Sequence, residues 1–193
     1  MMSDANWTCR CGAFAMRVDG LPGSGVPAVC YCADCRAFAR LHGDGETLDQ
    51  AGGVVLQSTT ADRIVILKGS EHLACERLTA RGPFRWFVGC CDTPVGNGAP
   101  MRGVPFFSVI AARLAGTPPR PVARLHRGGA TGKVPRPRGS TYAFILGVAR
   151  RVAASRLSGR WRDTPFFNSN GNPVAEPHMP DPEKLRAAYG SRR

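Results

Sequence analysis

The sequence predicts a mainly β domain extended by a basic, partly helical segment. Three observations predict it: short β-branched and aromatic runs broken by frequent turn residues, eight cysteines gathered into clusters, and a charge balance that changes abruptly along the chain. Residues 1–110 carry ten basic and ten acidic side chains and are neutral. Residues 111–193 carry sixteen basic and four acidic side chains, so they hold the whole net charge of +12. All eight cysteines lie in the neutral part. The division predicts a cysteine-bearing domain over 1–110, with a basic linker and helical extension over 111–193 packing on it.

Phe14, Met16 and Val18 alternate with Ala15 and Arg17, the period-two pattern of a half-buried strand. A helix is predicted from Ala33 to about Leu41, stopped by Gly43 and Gly45. Residues 54–59 and 63–68 are short β-branched runs around Thr60-Ala61-Asp62, which reads as a hairpin. Residues 73–78, 84–88 and 104–110 follow as strands, punctuated by Arg81-Gly82-Pro83 and by Gly96-Asn97-Gly98.

Residues 116–139 hold five prolines, five glycines and six basic residues, a composition that predicts extended or irregular chain. Ser140 then caps a helix over about 141–158, closed by Gly159. Ile145, Val148, Ala149 and Val152 fall at i, i+3, i+4 and i+7, a stripe expected to pack inward. Gly147, Arg150, Arg151, Ala154 and Ser155 are expected on the other side. Asp181-Pro182-Glu183 starts a last short helix that Gly190 ends. The apolar runs at 104–112 and 143–149 are too short to span a bilayer, so no membrane partner is expected. The first residues show neither a basic n-region nor an apolar h-region, which predicts a cytoplasmic protein with reduced thiols.

The thiols fall as Cys9-x-Cys11, Cys30-x-Cys32-x-x-Cys35 and Cys90-Cys91, with Cys75 alone in a strand as a small buried hydrophobe. A C-x-C on a strand puts two sulfurs on one face, and Cys32-Ala33-Asp34-Cys35 wraps into a helix N-terminus, whose dipole favours thiolate. Zinc is the default ion for clustered thiolates. Cys30, Cys32 and Cys35 give three ligands, the count of a catalytic site that keeps one position open. Cys9 and Cys11 need two further donors, and Cys90 and Cys91 would complete a closed four-thiolate site. The expected cofactor is therefore zinc, two per chain, one closed and one open. An iron–sulfur cluster is the alternative occupant of a four-cysteine set.

The order Cys9-Arg10-Cys11-Gly12, then Cys30-Tyr31-Cys32-Ala33-Asp34-Cys35-Arg36, then Arg85-Trp86-Phe87-Val88-Gly89-Cys90-Cys91-Asp92-Thr93-Pro94 resembles the family of glutathione-dependent formaldehyde-activating enzyme and centromere protein V. The resemblance covers about residues 7–110 and is nearest to an uncharacterised bacterial branch. It implies a β-tent zinc-binding fold and carbon–sulfur lyase activity on a thiol–aldehyde adduct of the S-hydroxymethylglutathione type. It also implies a structural zinc on Cys9, Cys11 and the late cysteines, and a catalytic zinc on Cys30, Cys32 and Cys35. Tyr31 stands where the family commonly has histidine, and Asp92 where it has glycine after the last cysteine. Cys91 aligns with the second late ligand, and Cys90 stands in for the first or the site is three-coordinate.

Such chemistry needs a proton carrier, for which Tyr31, Asp34 and His42 are the nearest titratable residues, although His42 reads more simply as a surface or capping histidine. Arg36, beside Cys35, is the candidate for binding a carboxylate of a small thiol such as glutathione; its plainer reading is a solvent-facing helix arginine. Arg85 reads first as a sheet-edge salt bridge. Two other function classes stay open. Twelve cations without an acid between Arg113 and Arg162 suit nucleic acid or another anionic partner, though no recognised nucleic-acid motif accompanies them and a solvated basic face is the plainer reading. A non-catalytic zinc-scaffolded interaction module, self-associating or not, is the other, with Phe166 and Phe167 as core residues or a docking clip.

Overall fold

A computed structural model describes residues 4–21, 23–43, 45–116 and 120–190. It is mainly β, with ten strands in two sheets and three α-helices among the described residues. A three-stranded sheet has the order β1 (Ala5–Thr8), β2 (Ala15–Val18), β5 (Ile64–Lys68). A seven-stranded sheet runs β10 (Ala123–Leu125), β3 (Val26–Cys30), β4 (Val54–Thr60), β9 (Phe106–Ile110), β8 (Thr93–Gly98), β7 (Phe84–Val88), β6 (Leu73–Glu76). Every pairing between these strands is antiparallel except that of β10 with β3.

Alternation along the strands sorts side chains between the two faces of the large sheet. Trp86, Val88, Phe107 and Val109 meet Trp7, Met16 and Ile64 of the small sheet, and Phe14 just before β2, in one core. Cys30, Leu56, Phe87 and Ile110 meet a second layer made by α1 (Ala33–Leu41) and α3 (Pro182–Tyr189). Phe166 closes the first core: its ring stacks on Phe107 at 4.2 Å and lies 4.9 Å from Trp86. Core packing, rather than a docking clip, is thus its role. Cys75 is buried in the same core, and burial pushes its thiol up to about 12.

Four expectations are corrected. The hairpin at Thr60-Ala61-Asp62 is absent: a 3-10 turn at Ala61–Arg63 carries the chain from β4 in one sheet to β5 in the other. Gly96-Asn97-Gly98 is no turn but lies inside β8. A Cβ on Gly96 would sit 2.2 Å from the Ser108 carbonyl oxygen, so glycine lets the two backbones approach. The proline-rich stretch after 116 contributes a strand, because residues 123–125 find the free edge of β3.

The fourth correction concerns α2 (Thr141–Leu157), capped by Ser140 as expected. It packs against β3, β4 and β10 through Gly147, Arg151 and Ser155, the side expected to face solvent. Arg151 donates to the carbonyls of Gly23 and Ser24, and Ser155 donates to Asp62 at 2.7 Å. Polar contacts therefore help seat this helix; of the expected inward stripe Val148 and Val152 are half-buried, while Ile145 and Ala149 point outward. Among the described residues no helix is long and apolar enough to cross a membrane.

Candidate metal centres

Two groups of thiols converge, each with its sulfurs within 4.8 Å of one another: Cys9, Cys11, Cys90 and Cys91, and Cys30, Cys32 and Cys35. All eight cysteines are free. Tetrahedral zinc with Zn–S near 2.3 Å requires sulfurs about 3.8 Å apart. The observed separations are 3.6 Å for Cys9–Cys11, 3.4 Å for Cys11–Cys90 and 3.4 Å for Cys30–Cys32. Both donor sets fit a thiolate-bound metal.

The four-thiol group joins two hairpins. Cys9 and Cys11 lie in the turn between β1 and β2, which closes through Cys9 N–H on the Phe14 carbonyl and Gly12 N–H on the Cys9 carbonyl. Cys90 and Cys91 lie in the turn between β7 and β8. The group thus ties the small sheet to the large one. Its sulfurs are surrounded by donors: Phe14 N–H reaches Cys9 Sγ at 3.2 Å, and Thr93 Oγ1 lies 3.0 Å from Cys91 Sγ. Burial opposes ionisation of Cys91, but Thr93 and the Cys11 N–H outweigh it and hold the thiol below its ordinary value. Burial and the neighbouring thiols raise Cys9 and Cys90.

The three-thiol group sits where β3 passes into α1. Cys30 ends the strand, Cys32 is the N-cap of the helix, and Cys35 occupies its first turn. Cys35 N–H donates to Cys32 Sγ at 3.4 Å, so the thiol does the work of a capping oxygen. Hydrogen bonds from the Cys30 and Cys35 thiols, then the Cys35 N–H and the Arg85 charge, pull the Cys32 thiol far down. Cys30 is pushed up by the bonds it gives. A metal here would be held by all three sulfurs as thiolates.

Beside this group opens a cavity of about 770 Å³, lined by Asp34, Leu78, Thr79, Arg186 and Tyr189 among others. Tyr189 donates its hydroxyl to Asp34 Oδ1 at 2.9 Å, and Arg85 Nη2 lies 3.8 Å from Asp34 Oδ2. Arg85 is only 3% exposed, and its guanidinium lies over the Phe38 ring at 5.4 Å. The expected salt bridge is present, with Asp34, but it is buried on β7 inside the sheet rather than at its edge. Burial and the Asp34 carboxylate raise Tyr189 to about 12, so its hydroxyl stays protonated.

The remaining sequence candidates lie elsewhere. Tyr31 is fully buried, its hydroxyl donating to Asp49 at 3.1 Å and accepting from Arg124, on the face opposite Cys30. It is no proton carrier for the thiols. Arg36 gives Nη1 to the Gly129 carbonyl and leaves a buried Nε without a partner. His42 is the C-cap residue of α1, as one reading had it, but it is 6% exposed rather than on the surface. Its Nδ1 lies 2.6 Å from Asp92, and its Nε2 lies 3.1 Å from the buried Glu76 without hydrogen-bond alignment. The ring stacks on Phe87 at 4.0 Å.

Sequence reasoning did not find Tyr189, Arg186 or Glu76. Tyr189 and Arg186 belong to a helix remote in sequence, and no spacing tied them to the cysteines. Glu76 stands opposite Arg85 in the β6–β7 register, a pairing that only the sheet reveals.

A family model matches residues 1–178, and it is described as a family of unknown function, DUF6151. The chain belongs to that family. The matched region contains both thiol groups and ends before α3. No curated protein matches. A crystal structure of a Rhodobacter sphaeroides protein, a Northeast Structural Genomics target, is similar at 23% identity, covering 62% of this chain and 98% of that one with a TM-score of 0.44.

Proposed function

We propose that this member of DUF6151 is a cytoplasmic zinc enzyme that cleaves, or in reverse forms, the carbon–sulfur bond of a small thiol–aldehyde adduct. The observation that carries the reading is the contrast between the two thiol groups. One offers four sulfurs and joins two hairpins; the other offers three, and Ala33 and Asp34, between two of its cysteines, line a cavity that Thr79, Arg186 and Tyr189 also line. The motif order shared with the glutathione-dependent formaldehyde-activating and centromere protein V family supports it.

On this reading Cys9, Cys11, Cys90 and Cys91 hold a structural zinc, and Cys30, Cys32 and Cys35 hold the second. Zinc at the second site supplies a Lewis acid for a substrate sulfur. The chain's own groups do the rest. Asp34, fixed by Tyr189 and facing Arg85, takes the hydroxyl proton of the adduct while the carbon–sulfur electron pair returns to sulfur. The products are a thiolate, an aldehyde and a protonated Asp34. Arg186, at the cavity wall, faces a carboxylate of a thiol such as glutathione.

The test is turnover of S-hydroxymethylglutathione by zinc-loaded protein, compared with Cys32→Ser and Asp34→Asn. Both variants keeping their fold while losing turnover by 100-fold or more, on the order expected for a proton-transfer group, supports the reading. Unfolding of Cys32→Ser, with no thiol adduct turned over by the wild type, supports the non-catalytic scaffold instead. That second reading is favoured by the burial of Cys30 and Cys35.

A further inference from the structure

A surface helix normally turns its apolar residues inward and its polar residues to solvent. α2 is covered on one side only. Its inner side seats Gly147, Arg151 and Ser155 against the sheet, while its outer side exposes Tyr142 (75%), Ile145 (58%), Leu146 (45%) and Leu157 (90%). These recur at helical spacing and run the length of the helix, with Ala149 and Ala153 exposed between them. Among the described residues nothing covers them, and an aliphatic stripe of this length marks a contact surface.

The surroundings of the stripe are cationic. Arg138 lies two residues before the Ser140 cap, and with Arg120, Arg124 and Arg136 it lines a groove of about 420 Å³ beside the start of α2. Arg124 is answered by Asp49 at 3.7 Å; among the described residues the other three make no ion pair. α2 itself contains no acid and carries Arg150 on its exposed side.

Charge decides among occupants. An antiparallel pairing of α2 with its copy would centre on residues 149 and 150, setting Arg150 against Arg150 with no acid on either helix. Nucleic acid would use the arginines but leaves Ile145, Leu146 and Leu157 without a function. A surface that is anionic outside and apolar beneath answers both features. We propose that the outer face of α2 and the arginine groove dock the protein on an anionic lipid bilayer. The helix lies in the headgroup plane with Tyr142, Ile145 and Leu146 below it, and the arginines engage lipid phosphates.

The experiment is sedimentation of the full chain with vesicles of phosphatidylcholine alone and of equal parts phosphatidylcholine and phosphatidylglycerol, at low and high salt. Binding to the anionic vesicles only, weakened by salt, is expected. Arg136→Gln with Arg138→Gln should weaken it about 30-fold, from roughly fivefold per arginine near such a surface. Ile145→Ser with Leu146→Ser should lose it at least tenfold; both pairs are exposed, so an unchanged thermal melt verifies the fold. Three results would overturn the proposal: equal sedimentation with both vesicles or with neither; a dimer in light scattering that the Ile145/Leu146 variant dissociates; or a nucleic-acid shift abolished by the arginine variant without vesicle binding.

Discussion

The hydroxyl of Tyr189 reaches Asp34 at 2.9 Å across 155 residues of sequence. It fastens the C-terminal helix to the helix turn that bears Cys32 and Cys35. A second tie, Arg40 Nη1 on the Ala188 carbonyl at 3.0 Å, holds the other end of the contact. The wall of the cavity near the three thiols is thus built from α1, the segment after β6 and α3.

Removing that hydroxyl should loosen the wall without touching the sulfurs. Tyr189→Phe is expected to cost about 1.5–3 kcal/mol in urea unfolding, the worth of a hydrogen bond to a charged group. It should also lower turnover of the thiol adduct while metal content stays the same. A loss of metal would place Tyr189 in the support of the ion rather than of Asp34.

Backbone proximity at β8 gives a sharper stability test. Gly96→Ala puts a methyl group 2.2 Å from the Ser108 carbonyl oxygen and 2.8 Å from the Phe107 ring. Overpacking against a neighbouring strand should destabilise the protein by about 3 kcal/mol in chemical denaturation.

Phe166 gives the converse test. Phe166→Ala opens the space between Phe107 and Trp86 and should cost about 3–5 kcal/mol. A cost near zero would mean that the segment after α2 does not close the core.

The fold and the site differ in how much of them the sequence carried, and Gly96 shows why. Strand alternation and caps are local, so β7, α1, the Ser140 cap and the mainly β class follow from pattern alone. Both thiol groups were legible too, because C-x-C and C-x-C-x-x-C fix most ligands locally. A glycine, however, reads the same in a turn and under a close strand. Residues 54–68 read as a hairpin because nothing local shows that the 3-10 turn at Ala61–Arg63 exchanges sheets. The inner side of α2 was half legible: Val148 and Val152 turn inward as patterned, but polar Arg151 and Ser155 join them through partners in distant loops.

The buried histidine should leave a pH signature. Burial alone would lower the His42 pKa, but Glu76 and then Asp92 raise it above its ordinary 6.5. A raised folded-state value means the contribution to stability is full below 6.5 and lost as pH rises through the folded value. Melting should therefore fall across that window in the wild type and less so in His42→Gln. An identical pH dependence in both proteins would remove His42 from the account.

The most direct measurement is metal per chain, by elemental analysis of untagged protein purified without chelator, for the wild type, Cys9→Ser and Cys32→Ser. Two thiolate sites predict about two zinc per chain, falling to about one in each variant. Cys9→Ser should melt at a lower temperature because it unpins the two hairpins. A wild type holding no metal, or a single ion lost equally in both variants, would contradict two separate centres.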